Sequence, residues 1–441
     1  MDREFTPIDN LQKAITANNS MIFHYWLVYA SASMKPSSYV TDSLPFYFHR
    51  WLSQSDIESN RYLRSESFLD SLIGFTKSVA TLYSTTNAIC FPAITAITHL
   101  HRDIGAMQGS LLELQETPHE VVYQMDDVKL LHYYDLQQNR STKKYPVPLL
   151  IVYAPVNRYH IMDIRKGRSI VEQFVSAGFD VYLLDWGAQL NNKPSVSGYV
   201  GYIHRAVDLI KKASHSEQVS ILGYSWGGVL SMIYSSLRGT DVRNLILQSA
   251  HVDFHKDSSI LASWFRKLPV DDIARAFDTI DCHFINFALI MRNPAVHSFD
   301  ALRFAADMNS WTPSMKFGLD TMRIIAWLND TPLIPAGFFR DYISKLYQQN
   351  QLVKNKLEIA LPDGKLETVD LARITMPLLN IVGDLDDICT PPASIPINDI
   401  ATSKDKKLLR YPTGHIELSV SSAVHKELWP QVVKWLEQRS L

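Results

Sequence analysis

In Gly223-Tyr224-Ser225-Trp226-Gly227-Gly228, a serine sits among small residues, directly after the apolar run 219–222. A helical pattern carried by Val229, Leu230, Ile233 and Leu237 follows it. A G-x-S-x-G sequence in a strand-to-helix turn has a mechanical basis. Side chains flanking the serine would collide there, and the turn presents the hydroxyl at a helix N-terminus, whose amides favour developing negative charge. The chemistry such a serine offers is nucleophilic acyl transfer.

A serine hydroxyl attacks poorly without a base, so a histidine and an orienting carboxylate must accompany it, in the chain order Ser, Asp or Glu, His. The apolar run 378–382 is followed by Gly383-Asp384-Leu385-Asp386-Asp387-Ile388, and the run 408–411 by Thr413-Gly414-His415. Of fifteen histidines, His415 alone combines a loop after a strand, a preceding glycine and the correct order. His99, His101, His251, His255 and His283 read more simply as surface or packed residues. Asp386 is the carboxylate of choice, because Asp384 lies too near the strand end and Asp387 is its neighbour on the same loop. An oxyanion needs two backbone N–H groups, one from the residue after the nucleophile, Trp226, and one from the loop after an earlier strand. The loop 154–158 follows the run 149–153. Pro155 has no N–H, so Val156 is the first candidate and Asn157 the next, while the same loop also reads as an ordinary connection.

The elements that must position these residues are legible in the same way. Runs at 149–153, 181–184, 219–222, 245–247, 378–382 and 408–411 are short and continuously apolar, as expected of strands buried on both faces. Helical spacing alternates with them: Ile170, Val171, Phe174 and Val175, closed by Gly178; then Val200, Ile203, Val207 and Ile210; and at the end Val424, Leu428, Val432 and Leu436. The alternation predicts a mostly parallel sheet covered by helices, an α/β class. A β-hairpin is expected at 120–134 around Asp126-Asp127. The division expected is a mostly helical N-terminal region at 1–115, a first core part at 116–254, an insertion at 255–365 and a second core part at 366–441. An insertion between late strands sits over the C-terminal strand edge, where ligands bind, and would serve as a lid.

Composition narrows the function classes. The 441 residues are 46% hydrophobic and 20% charged, with a formal net charge of −2, which exerts no global pull on nucleic acid or anionic membrane. The short basic runs at 143–144 and 404–407 read as solvated loops. Cys90, Cys282 and Cys389 are widely separated and match no metal-ligand spacing, so no metal is expected and a reducing compartment suits them. Met1-Asp2-Arg3-Glu4 lacks the basic start and apolar run expected of a signal peptide, and the stretch 68–100 is interrupted by Lys77, Asn87 and Pro92. The expectation is a cytoplasmic protein without a transmembrane segment.

Several further stretches occur in order: Thr117-Pro118-His119-Glu120-Val121-Val122-Tyr123, the loop 153–157, Asp180-Val181-Tyr182-Leu183-Leu184-Asp185-Trp186-Gly187, residues 327–332 and Tyr347-Gln348-Gln349-Asn350. Gly414-His415-Ile416 then runs into Leu428-Trp429-Pro430 and Trp435-Leu436. Over residues 115–440 the chain resembles the catalytic subunit of class III polyhydroxyalkanoate synthases. The resemblance implies an α/β-hydrolase fold and a 3-hydroxyacyl transfer from coenzyme A onto the nucleophile, then onto the hydroxyl end of a polyester. It implies no cofactor, the acyl-coenzyme A being substrate. As partners it implies a second synthase subunit or a homodimer, and the surface of a polyester granule. It supports Ser225, Asp386 and His415 by position, and Val156 and Trp226 less directly. The family has cysteine in a Gly-x-Cys-x-Gly-Gly box where this chain has Ser225, and usually histidine where it has Asp387. Ser225 therefore suits polymerisation, and equally a serine esterase, a thioesterase or a polyhydroxyalkanoate depolymerase. A non-catalytic protein binding granules or a synthase through residues 1–110 is the third reading, against which the retained triad positions argue.

Overall fold

The computed structural model describes residues 117–134, 144–188, 194–282, 330–361 and 364–441, with 285, 323–324 and 326–328 besides. The expected helical region 1–115, Cys90, His99, His101 and His283 lie outside the described residues. The chain forms two compact units, one of residues 112–266, 279–282 and 330–441, the other of 1–111, 267–278 and 283–329. In the second unit the helix Val270–Ala276 opens with Asp271 and Asp272 and closes with Arg275, a charge order that complements the helix dipole.

The first unit is built on an eight-stranded sheet of β1 (His119–Met125), β2 (Val128–Tyr133), β3 (Leu149–Val152), β4 (Val181–Asp185), β5 (Val219–Tyr224), β6 (Val242–Gln248), β7 (Leu378–Gly383) and β8 (Lys406–Tyr411). Their spatial order is β1-β2-β4-β3-β5-β6-β7-β8. The hairpin β1–β2 turns at Asp126, which adopts φ 56°, and β2 joins β4 antiparallel. From β4 to β8 every pairing is parallel. The central strands are apolar and fully buried, as strands covered on both faces must be. The edge strand β8 instead carries Lys406, Lys407 and Arg410, charges that discourage pairing with another chain.

Helices of this unit include α1 (Ile170–Ala177), α2 (Val196–Ser214), α3 (Trp226–Leu237), α4 (Ile260–Phe265), α5 (Ala336–Asp341), α6 (Ser422–Glu427) and α7 (Trp429–Glu437). Ser169 caps α1 through the Glu172 N–H at 2.8 Å, and Gly178 closes it in the left-handed conformation. The apolar spacing at 424–436 predicts one helix, but the structure has two. Pro430 lacks an N–H and its ring would meet the carbonyl one turn earlier, so α6 ends at Glu427 and α7 restarts at Trp429.

The expected insertion 255–365 is shared between the two units. The division expected at 365 falls inside an antiparallel pair, Glu358–Ala360 with Leu366–Thr368. Because β3 leads outward to β4 while β5 leads the other way to β6, the order reverses between β3 and β5. In this architecture ligands bind outside the C-terminal strand ends at such a reversal. Parallel strands, covering helices and a serine-bearing turn between β5 and α3 make this an α/β-hydrolase fold.

Candidate active site

Ser225 is the one residue between β5 and α3, with φ 54° and ψ −123°. A non-glycine residue held there stores roughly 1–3 kcal/mol of backbone strain, and its neighbours show what holds it. The Ser225 N–H donates to the Gln248 carbonyl at 2.9 Å, and its carbonyl accepts from Val229 at 3.2 Å. An added Cβ at Gly223 would lie 2.5 Å from the Gly228 Cα, and one at Gly227 2.5 Å from the Tyr153 carbonyl oxygen. The start of α3 thus abuts the end of β3 directly, which only glycine permits.

The structure brings together the three residues singled out in the sequence. His415 Nε2 lies 3.0 Å from Ser225 Oγ, and His415 Nδ1 lies 2.8 Å from Asp386 Oδ2. All three are nearly enclosed, at 6%, 5% and 3% exposure for Ser225, His415 and Asp386. The second carboxylate oxygen of Asp386 accepts from the Ile388 N–H at 2.9 Å and the Cys389 N–H at 2.8 Å. Burial opposes ionisation of Asp386, yet the His415 charge and hydrogen bond and the two backbone N–H groups outweigh it. Its carboxyl is held below the ordinary range. An ionised carboxylate only accepts, so Nδ1 of His415 carries the proton and Nε2 faces the serine hydroxyl as acceptor. Of the rival carboxylates, Asp384 is exposed and bonds Arg410 Nε at 2.6 Å, and Asp387 is half-buried.

The loop after β3 leaves β3 beside α3. The Asn157 N–H is taken by the Ala154 carbonyl at 3.3 Å, which leaves Val156 ahead of Asn157 as the candidate for a second oxyanion N–H. The loop is backed by residues whose role the sequence did not disclose. Trp186 Nε1 donates to the Tyr153 carbonyl at 2.9 Å, while the Tyr153 hydroxyl donates to Asp185 at 3.1 Å and accepts from the Trp186 N–H at 3.1 Å. Asp185 and Trp186 belong to the 180–187 stretch and Tyr153 to the 153–157 stretch, and their order along the chain was the available signal.

Aromatic residues of the insertion enclose the ring of Trp226. Tyr342 stacks on it at 3.9 Å between centroids, with Phe338, Phe265 and Tyr347 between 6.2 and 6.5 Å. Burial pushes the phenols of Tyr342 and Tyr347 well above their usual range, so both stay neutral. All five rings are nearly or wholly buried, so they pack against one another beside the nucleophile turn. Cys282 and Cys389 are free and buried, and burial raises both thiols, which removes them as competing nucleophiles. His255 is exposed, and His251 is wholly buried against Asp257. Among the described residues no cluster could hold a metal ion, and no helix is long and apolar enough to cross a membrane.

The family model described as serine aminopeptidase S33 matches residues 162–332, which include Ser225 but neither Asp386 nor His415. Among solved structures, a monoacylglycerol lipase of Paleococcus ferrophilus is 16% identical with a TM-score of 0.41, covering 67% of this chain and 97% of its own. A soluble variant of the Saccharomyces cerevisiae monoglyceride lipase is 13% identical with a TM-score of 0.45, covering 75% and 98%. The poly(3-hydroxyalkanoate) polymerase subunit PhaC of Haloferax mediterranei is 36% identical over 339 residues, or 75% of this chain and 66% of that protein. The PhaC subunits of Synechocystis sp. and Allochromatium vinosum are 31% and 32% identical, covering 73% and 77% of this chain and 85% and 95% of theirs. With that identity sustained across nearly the whole of the Allochromatium protein, the chain belongs to the poly(3-hydroxyalkanoate) polymerase subunit PhaC family.

Proposed function

We propose that this chain is an acyltransferase of the polyhydroxyalkanoate synthase type. It moves 3-hydroxyacyl groups from coenzyme A thioesters to the hydroxyl end of a polyester through an acyl-Ser225 intermediate. One observation carries the reading: an unbroken relay from Ser225 through His415 to a buried, ionised Asp386, in a chain of this family.

In the first half-reaction the Ser225 hydroxyl passes its proton to His415 Nε2 as Oγ attacks the thioester carbonyl. Asp386 holds the imidazole and stabilises its positive charge. The tetrahedral oxyanion is received by the Trp226 and Val156 N–H groups. Collapse breaks the carbon–sulfur bond, and His415 returns its proton to the departing thiolate. In the second half-reaction His415 deprotonates the terminal hydroxyl of the polyester, which attacks the acyl-serine. A new ester forms and Ser225 is regenerated. Passage from thioester to oxygen ester is downhill, and ester to ester is nearly balanced, so the direction comes from the first step. No cofactor enters this sequence.

One observation favours a second reading, hydrolysis of acyl esters, thioesters or polyester. Ser225 stands where the resemblance places a cysteine, and an acyl-serine accepts water as readily as an alcohol unless the site excludes water. A cytoplasmic place at a granule surface, and assembly with a second synthase subunit or a second copy, belong to the first reading.

Labelling with a fluorophosphonate tests the part common to both. Covalent modification at Ser225, abolished in Ser225→Ala, is expected. An unlabelled Ser225 in folded protein would remove both readings together.

A further inference from the structure

The segment after β6 carries a second buried histidine–carboxylate pair, outside the constellation described above. His251 Nε2 lies 2.7 Å from Asp257 Oδ2, with both side chains wholly buried. Burial opposes ionisation of Asp257, but its bond to His251, the charge of His251, the Ser259 N–H and the Thr390 hydroxyl prevail and hold its carboxyl below the ordinary range. Oδ1 accepts from the Ser259 N–H at 2.9 Å and from Thr390 Oγ1 at 3.0 Å. Ser259 in turn caps α4 through the Ala262 N–H at 3.0 Å.

Thr390 departs from the ordinary use of its position. It precedes the short helical turn Pro391–Ser394, where a threonine hydroxyl normally accepts an N–H of the helix it opens. No such side-chain bond is made. The hydroxyl is turned onto Asp257 and accepts from the Ser258 N–H at 3.4 Å. The preceding residue, Cys389, donates its N–H to Asp386, and Ala393 accepts from the Val252 and Asp253 N–H groups at 2.9 and 3.0 Å. The loop that carries Asp386 is therefore bonded on its far side to the segment 251–259, and Thr390 is the side chain that makes the join.

We propose that Thr390 is a positioning residue for the Asp386–His415 pair, its hydroxyl fastening the acid-bearing loop to Asp257. The inference rests on the reading of Ser225 as nucleophile. Without that hydroxyl the loop keeps its backbone contacts but loses the bond nearest the Asp386 acceptors, and small misplacements of catalytic groups carry large rate costs.

The experiment compares second-order rates of fluorophosphonate labelling at Ser225 in the full chain and in Thr390→Val and Thr390→Ser, well below their melting temperatures. The expected result is a rate about tenfold lower for Thr390→Val, with Thr390→Ser within about twofold of the parent. Thr390→Ala, which is smaller and easier to accommodate, gives the same test if the valine variant does not fold. The downfield proton resonance of the His415–Asp386 hydrogen bond should shift or broaden in the valine or alanine variant and return in the serine variant. An unchanged labelling rate and resonance in the variant lacking the hydroxyl would overturn the proposal, as would a loss that serine fails to rescue. Absence of labelling in the parent would instead overturn the nucleophile reading beneath it.

Discussion

The Ser225 N–H donates to the Gln248 carbonyl, and the same Gln248 reaches with Nε2 to Ser419 Oγ at 2.8 Å. One residue at the end of β6 thereby fixes the nucleophile turn with its backbone and the segment following His415 with its side chain. Gln248→Met keeps the length and the backbone bond but drops the link to Ser419. Its turnover should fall several-fold with KM little changed, and stability by about 1 kcal/mol, the usual worth of one buried hydrogen bond. Steady-state kinetics and chemical denaturation check the two together.

Asp386 is buried and ionised, and its replacement by asparagine should separate fold from chemistry. Asparagine fits the space, but its amide favours the wrong histidine tautomer. Asp386→Asn should therefore stay folded while kcat drops by about 10³–10⁴. The sign of the pH effect follows from the lowered carboxyl. The contact is complete above the ordinary carboxylate range and is lost only as pH falls through the lower folded value. Mildly acid pH should leave the carboxylate's contribution intact, which pH titration of the labelling rate in parent and variant will reveal.

The Tyr153 hydroxyl bonds Asp185 and the Trp186 backbone beneath the loop that carries Val156. Tyr153→Phe removes these bonds without changing the ring. If Val156 supplies an oxyanion donor, kcat should fall about tenfold while KM holds, because the oxyanion exists only along the reaction path. A proportional rise in KM alone would mark the loop as a substrate contact instead.

His425, outside the triad, should make stability depend on pH. Burial lowers its pKa to about 4 from 6.5, although its Nε2 donates to the Ser419 carbonyl at 2.7 Å. Between these values the unfolded chain binds a proton that the folded one does not, so stability falls as pH drops from 6.5 toward 4. The loss amounts to about 3 kcal/mol at most, from the linkage between pKa shift and stability. Melting curves across this window should be steeper in pH for the parent than for His425→Gln, which has no such proton to bind.

The sheet was largely readable because its strands are continuous apolar runs, and 149–153, 181–184 and 378–382 each coincide with an observed strand to within a residue. The nucleophile turn was readable because glycine is demanded by contact with the Tyr153 carbonyl. Asp386 could be preferred over Asp384 and Asp387 only by position, since which of them is buried depends on packing that local sequence does not encode. His251 read as a surface or packed histidine; the structure buries it, and its partner Asp257 lies six residues on with no motif to mark it. The break at Pro430 was missed because the apolar spacing of 424–436 persists through it: periodicity records which face is buried, not whether the backbone is continuous.

The most direct test of the central claim follows coenzyme A release and polymer yield together, from one 3-hydroxyacyl-coenzyme A, in the parent and Ser225→Ala. The account predicts that the parent releases coenzyme A in step with polyester formation and that Ser225→Ala does neither. Release of coenzyme A matched only by free 3-hydroxy acid would contradict it.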